Sequence, residues 1–278
     1  MAHFTGRATK KATLDFLARK ELNPRQLREF AGVHVSSLGL GTYLGKMDEV
    51  TDAKVTAACV QAIELGCNFF DSAINYRGQR GEKAIGEALR RAILSNKVKR
   101  DEVFISTKGG FIPYEGVPVH ELPKLFEEQY VSTGVAKKAD LIAGCHCMEP
   151  AFLLNQIERS RKNLGLETID LFYLHNPETQ LEELPPRIFY EKLEIAFETL
   201  ERAVLDGKIA SYGLATWNAF RDEPTAQTYV AIEKTVEIAE RAAKKVSGAK
   251  SSFKAIQLPF NLAMPEAGLL QNQPVRDR

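Results

Sequence analysis

The chain has 278 residues, 44% of them hydrophobic and 26% charged, enough to bury a sizeable core in one large or two small domains. Its 37 Lys and Arg against 36 Asp and Glu leave a net charge of +1, so no bulk attraction draws it to nucleic acid or to an acidic membrane. No run approaches the roughly 20 apolar residues of a membrane helix, the start lacks the apolar core of a signal peptide, and four cysteines (Cys59, Cys67, Cys145, Cys147) are too few for a disulfide framework, so a cytoplasmic chain with free thiols is expected.

Residues 1–32 carry Arg7, Lys10, Lys11, Arg19, Lys20, Arg25 and Arg28, with Leu14, Phe16, Leu17 and Leu22 between them. This reads as a basic arm with a short helix, its charges solvated on the domain surface. From Val33 onward, short continuous apolar runs alternate with longer amphipathic stretches. The runs at 37–41, 68–71, 103–107, 169–174, 211–214 and 255–258 are too short for helices and too continuous for half-exposed strands, so six buried parallel strands are expected. A helix is predicted over 52–65, with Val55, Cys59, Ala62 and Ile63 at helical spacing, capped by Thr51 or Asp52 and stopped by Gly66. Another covers 80–94, and a long one runs from about 187 to 205, ending at Asp206-Gly207. The stretch from about 109 to 148 breaks this rhythm. It holds prolines and the aromatic residues Phe111, Tyr114, Phe126 and Tyr130, and an insertion of that length is expected to serve as a lid or pocket wall.

Strand and helix alternating in one direction leave an open doubly wound sheet or a closed barrel. Gly39-Leu40-Gly41-Thr42-Tyr43-Leu44-Gly45 runs into a polar loop with Met47-Asp48-Glu49, which argues against a dinucleotide-binding open sheet. Ionisable residues instead close three different strands, Asp71, Lys108 and His175, which is where barrel enzymes keep their chemistry. The expected fold is an α/β (β/α)8 TIM-type barrel, incomplete in this chain with about six of eight strands, over 33–278.

Asp71 ends Phe69-Phe70-Asp71-Ser72-Ala73, Tyr76 follows five residues later, Lys108 ends Ser106-Thr107-Lys108, and His175 ends Tyr173-Leu174-His175. Adjacent parallel strands would bring all four onto one rim. In order and strand position they resemble the Asp, Tyr, Lys, His tetrad of the aldo-keto reductases. The similarity runs from about Val33 to the end, through Leu38-Gly39-Leu40-Gly41-Thr42-Tyr43 and Ile256-Gln257-Leu258-Pro259-Phe260-Asn261-Leu262. The longer third loop, with Gly144-Cys145-His146-Cys147-Met148, resembles a bacterial-type branch of that family.

Reducing a carbonyl needs a hydride donor, which no side chain can be, so a bound nicotinamide must supply it while the protein supplies a proton. Tyr76 is the candidate acid. An ammonium about 4 Å from a phenol, at an effective dielectric near 20, is worth about 4 kcal/mol, enough to lower the ordinary pKa of about 10 by up to roughly three units. Lys108 is expected to do this, Asp71 to hold and orient Lys108, and His175 to hydrogen-bond the substrate carbonyl. The bland alternative is an Asp71–Lys108 ion pair that only ties two strands together.

The resemblance implies NADPH, or else NADH, as cofactor, held by Gly41 and Thr42 after the first strand, by Gln257 on the sixth and by Thr216. Here most of the family has Ser-Asn where this chain has Ala215-Thr216, so one nicotinamide contact must differ. Tyr43, Asn176 and Trp217 are expected to line the pocket of a small-molecule carbonyl substrate, with no nucleic-acid or membrane partner. The Cys145-His146-Cys147 triplet lacks the spacing of a metal site, so packing and no metal are expected. Strands seven and eight of the family have no counterpart, which predicts open sheet edges and self-association through them. A nucleotide-binding regulatory subunit, as with the potassium-channel β subunits that resemble this family, and an inactive fragment of such an enzyme are the competing readings.

Overall fold

The computed structural model describes residues 3–274 apart from 115 and 117. Its first helix, α1 (Lys10–Arg19), is capped by the Thr9 hydroxyl and carries Phe16 and Leu17 wholly into the main core. A hairpin follows, with β1 (Leu27–Phe30) antiparallel to β2 (Val33–Ser36). Its turn uses Ala31 and Gly32 at positive φ, so the two strands pair across the point where the sequence pattern changes.

Six strands then alternate with helices: β3 (Leu40–Gly41), α2 (Glu49–Glu64), β4 (Phe69–Asp71), α3 (Arg80–Leu94) and β5 (Phe104–Gly109). After the insertion, which holds the short α4 (Leu122–Phe126), come α5 (Pro150–Leu164), β6 (Leu171–His175), α6 (Pro186–Leu205), β7 (Tyr212–Ala215), α7 (Ile232–Val246), β8 (Phe253–Gln257) and α8 (Glu266–Leu269). The strands lie in chain order and every neighbouring pair is parallel. Among the described residues β3 and β8 each pair on one side only, so the sheet is an incomplete barrel.

Helix α2 starts one turn earlier than the apolar spacing predicts, because the Asp48 carboxylate, and not Thr51 or Asp52, accepts the N–H of Thr51 at 2.7 Å. Helix α3 begins at Arg80 and ends at Leu94 as predicted.

Alternation along each strand divides the core. Phe70, Ile105, Phe172, Leu174, Tyr212 and Leu214 face outward and pack with Ile63, Ile85, Leu89, Ile157 and Phe197 of the helices. Phe104, Leu171, Tyr173, Ala215 and Ala255 form the inner layer, where Val33 and Val35 of the hairpin join them. The same period of two puts Asp71, Lys108, His175, Ala215 and Gln257 on the inner side at the carboxyl ends.

The insertion has a small apolar cluster of its own. Phe126 and Tyr130 pack their rings against Phe152 of α5, tilted and edge-on, and the Tyr130 hydroxyl accepts a hydrogen bond from Arg159 at 2.7 Å. Of the insertion's aromatic residues only Phe111 lines the cavity described below, so most of the expected pocket wall is packing. The segment buries these apolar residues against Phe152 of α5.

Candidate active site

The inner residues at the strand ends open into a cavity of about 640 Å³. Beneath it Lys108, almost wholly buried, donates to Asp71 Oδ2 at 2.5 Å and to the carbonyl of Ser72 at 2.7 Å. Asp71 is steadied in turn by the Ser106 hydroxyl, 2.6 Å from its Oδ1. The two bonds aim the Lys108 ammonium at Tyr76, 4.7 Å from the ring centre. Tyr76 lies between Tyr43 and His175, edge-on to each at 5.0 and 5.7 Å between ring centres. The four residues of the predicted tetrad are therefore together.

The electrostatics differ from the expectation in one respect. Burial pushes the Tyr76 phenol above its ordinary pKa, and Lys108 pulls it back only in part because the Asp71 charge opposes it. The net direction is upward, whereas the sequence argument, which weighed Lys108 alone, has it fall. His175 is driven the other way. Burial first, then the charges of Lys108 and His146, hold it well below its ordinary value, so the imidazole is neutral at physiological pH.

His175 Nδ1 is buried without a hydrogen-bond partner among the described residues. Its ring meets Phe111 edge-on at 5.0 Å, and its backbone carbonyl receives His146 Nε2 at 2.8 Å. The amide of Gln180 donates to His146 Nδ1 at 2.9 Å, which assigns the His146 proton to Nε2. Both ring nitrogens of His146 are thus engaged in packing the strand end. Burial raises the Cys145 thiol to about 11 and Cys147 to about 12. No three His, Cys, Asp or Glu among the described residues are placed to hold a metal.

The residues expected to hold a nucleotide fall into two groups. Thr216 and Gln257 line the cavity from the adjacent ends of β7 and β8, where Thr216 N–H donates to the carbonyl of Gln257 at 2.8 Å. The Thr216 hydroxyl is buried and has no partner among the described residues. Gly41 and Thr42 do not line the cavity: Thr42 is buried with its hydroxyl 2.8 Å from that of Ser72. The close packing there depends on Gly81, whose missing Cβ would lie 2.9 Å from both hydroxyls.

Tyr43, Asn176 and Trp217, the expected substrate residues, all line the cavity, Asn176 with left-handed backbone at φ 42°. Sequence reasoning missed Asn75, whose buried Oδ1 is also unpartnered, and it named Phe111 only as part of the insertion. The signal for Asn75 was its place directly before Tyr76, and for Phe111 its place just past the Gly109-Gly110 that ends β5.

The family model described as "Aldo/keto reductase family" matches residues 37–269. A Schizosaccharomyces pombe protein named for a voltage-gated potassium channel subunit beta is 28% identical over 194 residues, which are 69% of this chain and 45% of that protein. Bovine (Bos taurus) prostaglandin F synthase 1 is 23% identical over 196 residues, 67% of this chain and 49% of the synthase. The chain thus spans about half the length of the curated relatives it matches. The structure of a glycerol dehydrogenase from Gluconobacter oxydans superposes with a TM-score of 0.51 at 20% identity, over 87% of this chain and 57% of that one, a likeness of fold. No helix among the described residues is long and apolar enough to cross a membrane.

Proposed function

Since the chain belongs to the aldo/keto reductase family, we propose that it reduces an aldehyde or ketone to an alcohol with NADPH, or with NADH, and that Tyr76 gives the proton. The observation that carries this reading is the Lys108 ammonium, fixed by Asp71 and Ser72 and held 4.7 Å from the Tyr76 ring. A lysine buried only to tie two strands has no need to face a phenol at the mouth of a cavity.

The unpartnered Thr216 hydroxyl and the adjacent Gln257 side chain fit a nicotinamide carboxamide, supplying a donor or acceptor in the place where Ala215 cannot. Such a nicotinamide, when bound, supplies the hydride. Burial keeps the Tyr76 phenol protonated at neutral pH, so it enters the reaction as an acid. As its proton passes to the developing alkoxide, the phenolate left behind is stabilised by Lys108, a charge already oriented by Asp71. His175, neutral and edge-on to Tyr76, orients the carbonyl without adding a competing positive charge.

NADPH consumption with an aromatic aldehyde, followed by loss of its absorbance, tests this reading. Turnover abolished in Tyr76→Phe is the expected result, and full turnover in that variant would refute Tyr76 as the acid. The relative named for a potassium channel subunit motivates a second reading. Under it the chain would bind the nucleotide tightly and reduce no carbonyl offered.

A further inference from the structure

Glu178 is a buried carboxylate with no part in the proton transfer above. It lies three residues past His175, in the short helical turn Pro177–Glu182 that follows β6, and it reaches across to the next strand-end loop. Its Oε1 accepts the backbone N–H of Trp217 at 2.7 Å and that of Asn218 at 3.0 Å. Its Oε2 is buried without a partner among the described residues. Burial pushes its pKa above the ordinary carboxylate range, although the surrounding backbone N–H groups oppose the rise. A carboxylate in such a place is unfavourable by itself, so its benefit must lie in what it holds.

What it holds is a peptide that has just left the sheet. The last ladder bond of β7 is Thr216 N–H to Gln257 C=O, and beyond it the N–H groups of Trp217 and Asn218 have no strand to pair with. Glu178 takes both, while Arg221 donates to the Trp217 carbonyl at 2.8 Å and is itself anchored on Glu266 at 2.8 Å. The Trp217 backbone is thus gripped from both sides. Trp217 remains more than half exposed and lines the same cavity as Tyr76 and His175.

We propose that Glu178 is a positioning residue: by tying the Trp217 peptide to the turn after β6 it sets the distance from the indole to the Tyr76–His175 rim, and so the size of carbonyl compound the cavity accepts. The substrate half of this proposal rests on the reductase reading, but the grip on Trp217 does not.

The two halves can be measured separately, because Trp217 is the chain's single tryptophan. Acrylamide quenching of its fluorescence reads the loop with no substrate present. Glu178→Ala should raise quenching, while Glu178→Gln, which keeps one acceptor oxygen, should stay near the starting protein. Unchanged quenching in a Glu178→Ala protein with native far-ultraviolet circular dichroism would overturn the grip. If that variant does not fold, Glu178→Asp, too short to span both N–H groups, decides in the same way. For the substrate half, leaving two donors unpaired should raise KM for benzaldehyde about tenfold and KM for propanal much less, with kcat for propanal little changed. Raised quenching with an unaltered benzaldehyde KM would overturn it. Absence of turnover in the unmodified chain would instead refute the reductase reading and leave quenching to decide the grip.

Discussion

Replacing Lys108 by Met removes the charge that moderates Tyr76 and leaves burial and Asp71 both raising its pKa. The Lys108 nitrogen is 4.7 Å from the ring centre, a separation at which opposite unit charges attract by about 3.5 kcal/mol at an effective dielectric of 20. Asp71 Oδ2 lies 2.5 Å from that nitrogen and cancels part of its field; if half survives, roughly 1.8 kcal/mol of phenolate stabilisation remains. The Tyr76 phenol should therefore titrate higher in Lys108→Met, and turnover should fall at least about tenfold because the phenolate formed in the reaction loses the stabilisation of Lys108. Asp71 keeps its bond from Ser106 but loses its ionic partner, so the kinetics are compared on variant protein with native far-ultraviolet circular dichroism. The assay is the pH dependence of kcat/KM for both proteins, with phenolate absorbance titrated against Tyr76→Phe to isolate the one ring. An unmoved alkaline limb together with undiminished turnover would refute the coupling of Lys108 to Tyr76.

Two further outcomes follow from the polar groups around the rim. Thr216→Val removes a buried hydroxyl that has no partner, so the free protein should gain about 1 kcal/mol in denaturant unfolding while NADPH affinity falls several-fold; a less stable variant with undiminished affinity would contradict the role given to that hydroxyl. Burial holds His146 near a pKa of 4 against an ordinary 6.5, so the stability linked to it is fully present above pH 6.5 and is lost as pH falls toward 4. This amounts to about 2 kcal/mol between pH 7 and pH 5, with His175 acting in the same direction, and His146→Gln should show a shallower loss in urea unfolding at the two pH values. Equal losses in the two proteins would argue against it.

Where a feature depends on local pattern, the sequence settles it. The apolar runs that become β5, β6 and β7 are too short for helices and are covered along their whole length, whereas the expectation of burial fails at the sheet edges, where β3 and β8 are only partly covered because each lacks a neighbour on one side. Period-two alternation then obliges Asp71, Lys108 and His175 to share the inner side, and consecutive parallel pairing brings them to one rim. Tyr76 comes with them because it lies five residues past Asp71.

What remained hidden depends on which partner a side chain meets across the fold. Nothing in Gly41-Thr42 says that the threonine hydroxyl will turn toward Ser72, since that follows from the close approach of α3 at Gly81. The aromatic residues of the insertion look like pocket wall until Phe152 of α5 offers Phe126 and Tyr130 a place to be buried. The direction of the Tyr76 shift was out of reach for the same reason. A pairwise charge argument can be made from residue types, but desolvation depends on how many atoms surround the ring, and only the packed tertiary structure supplies that number.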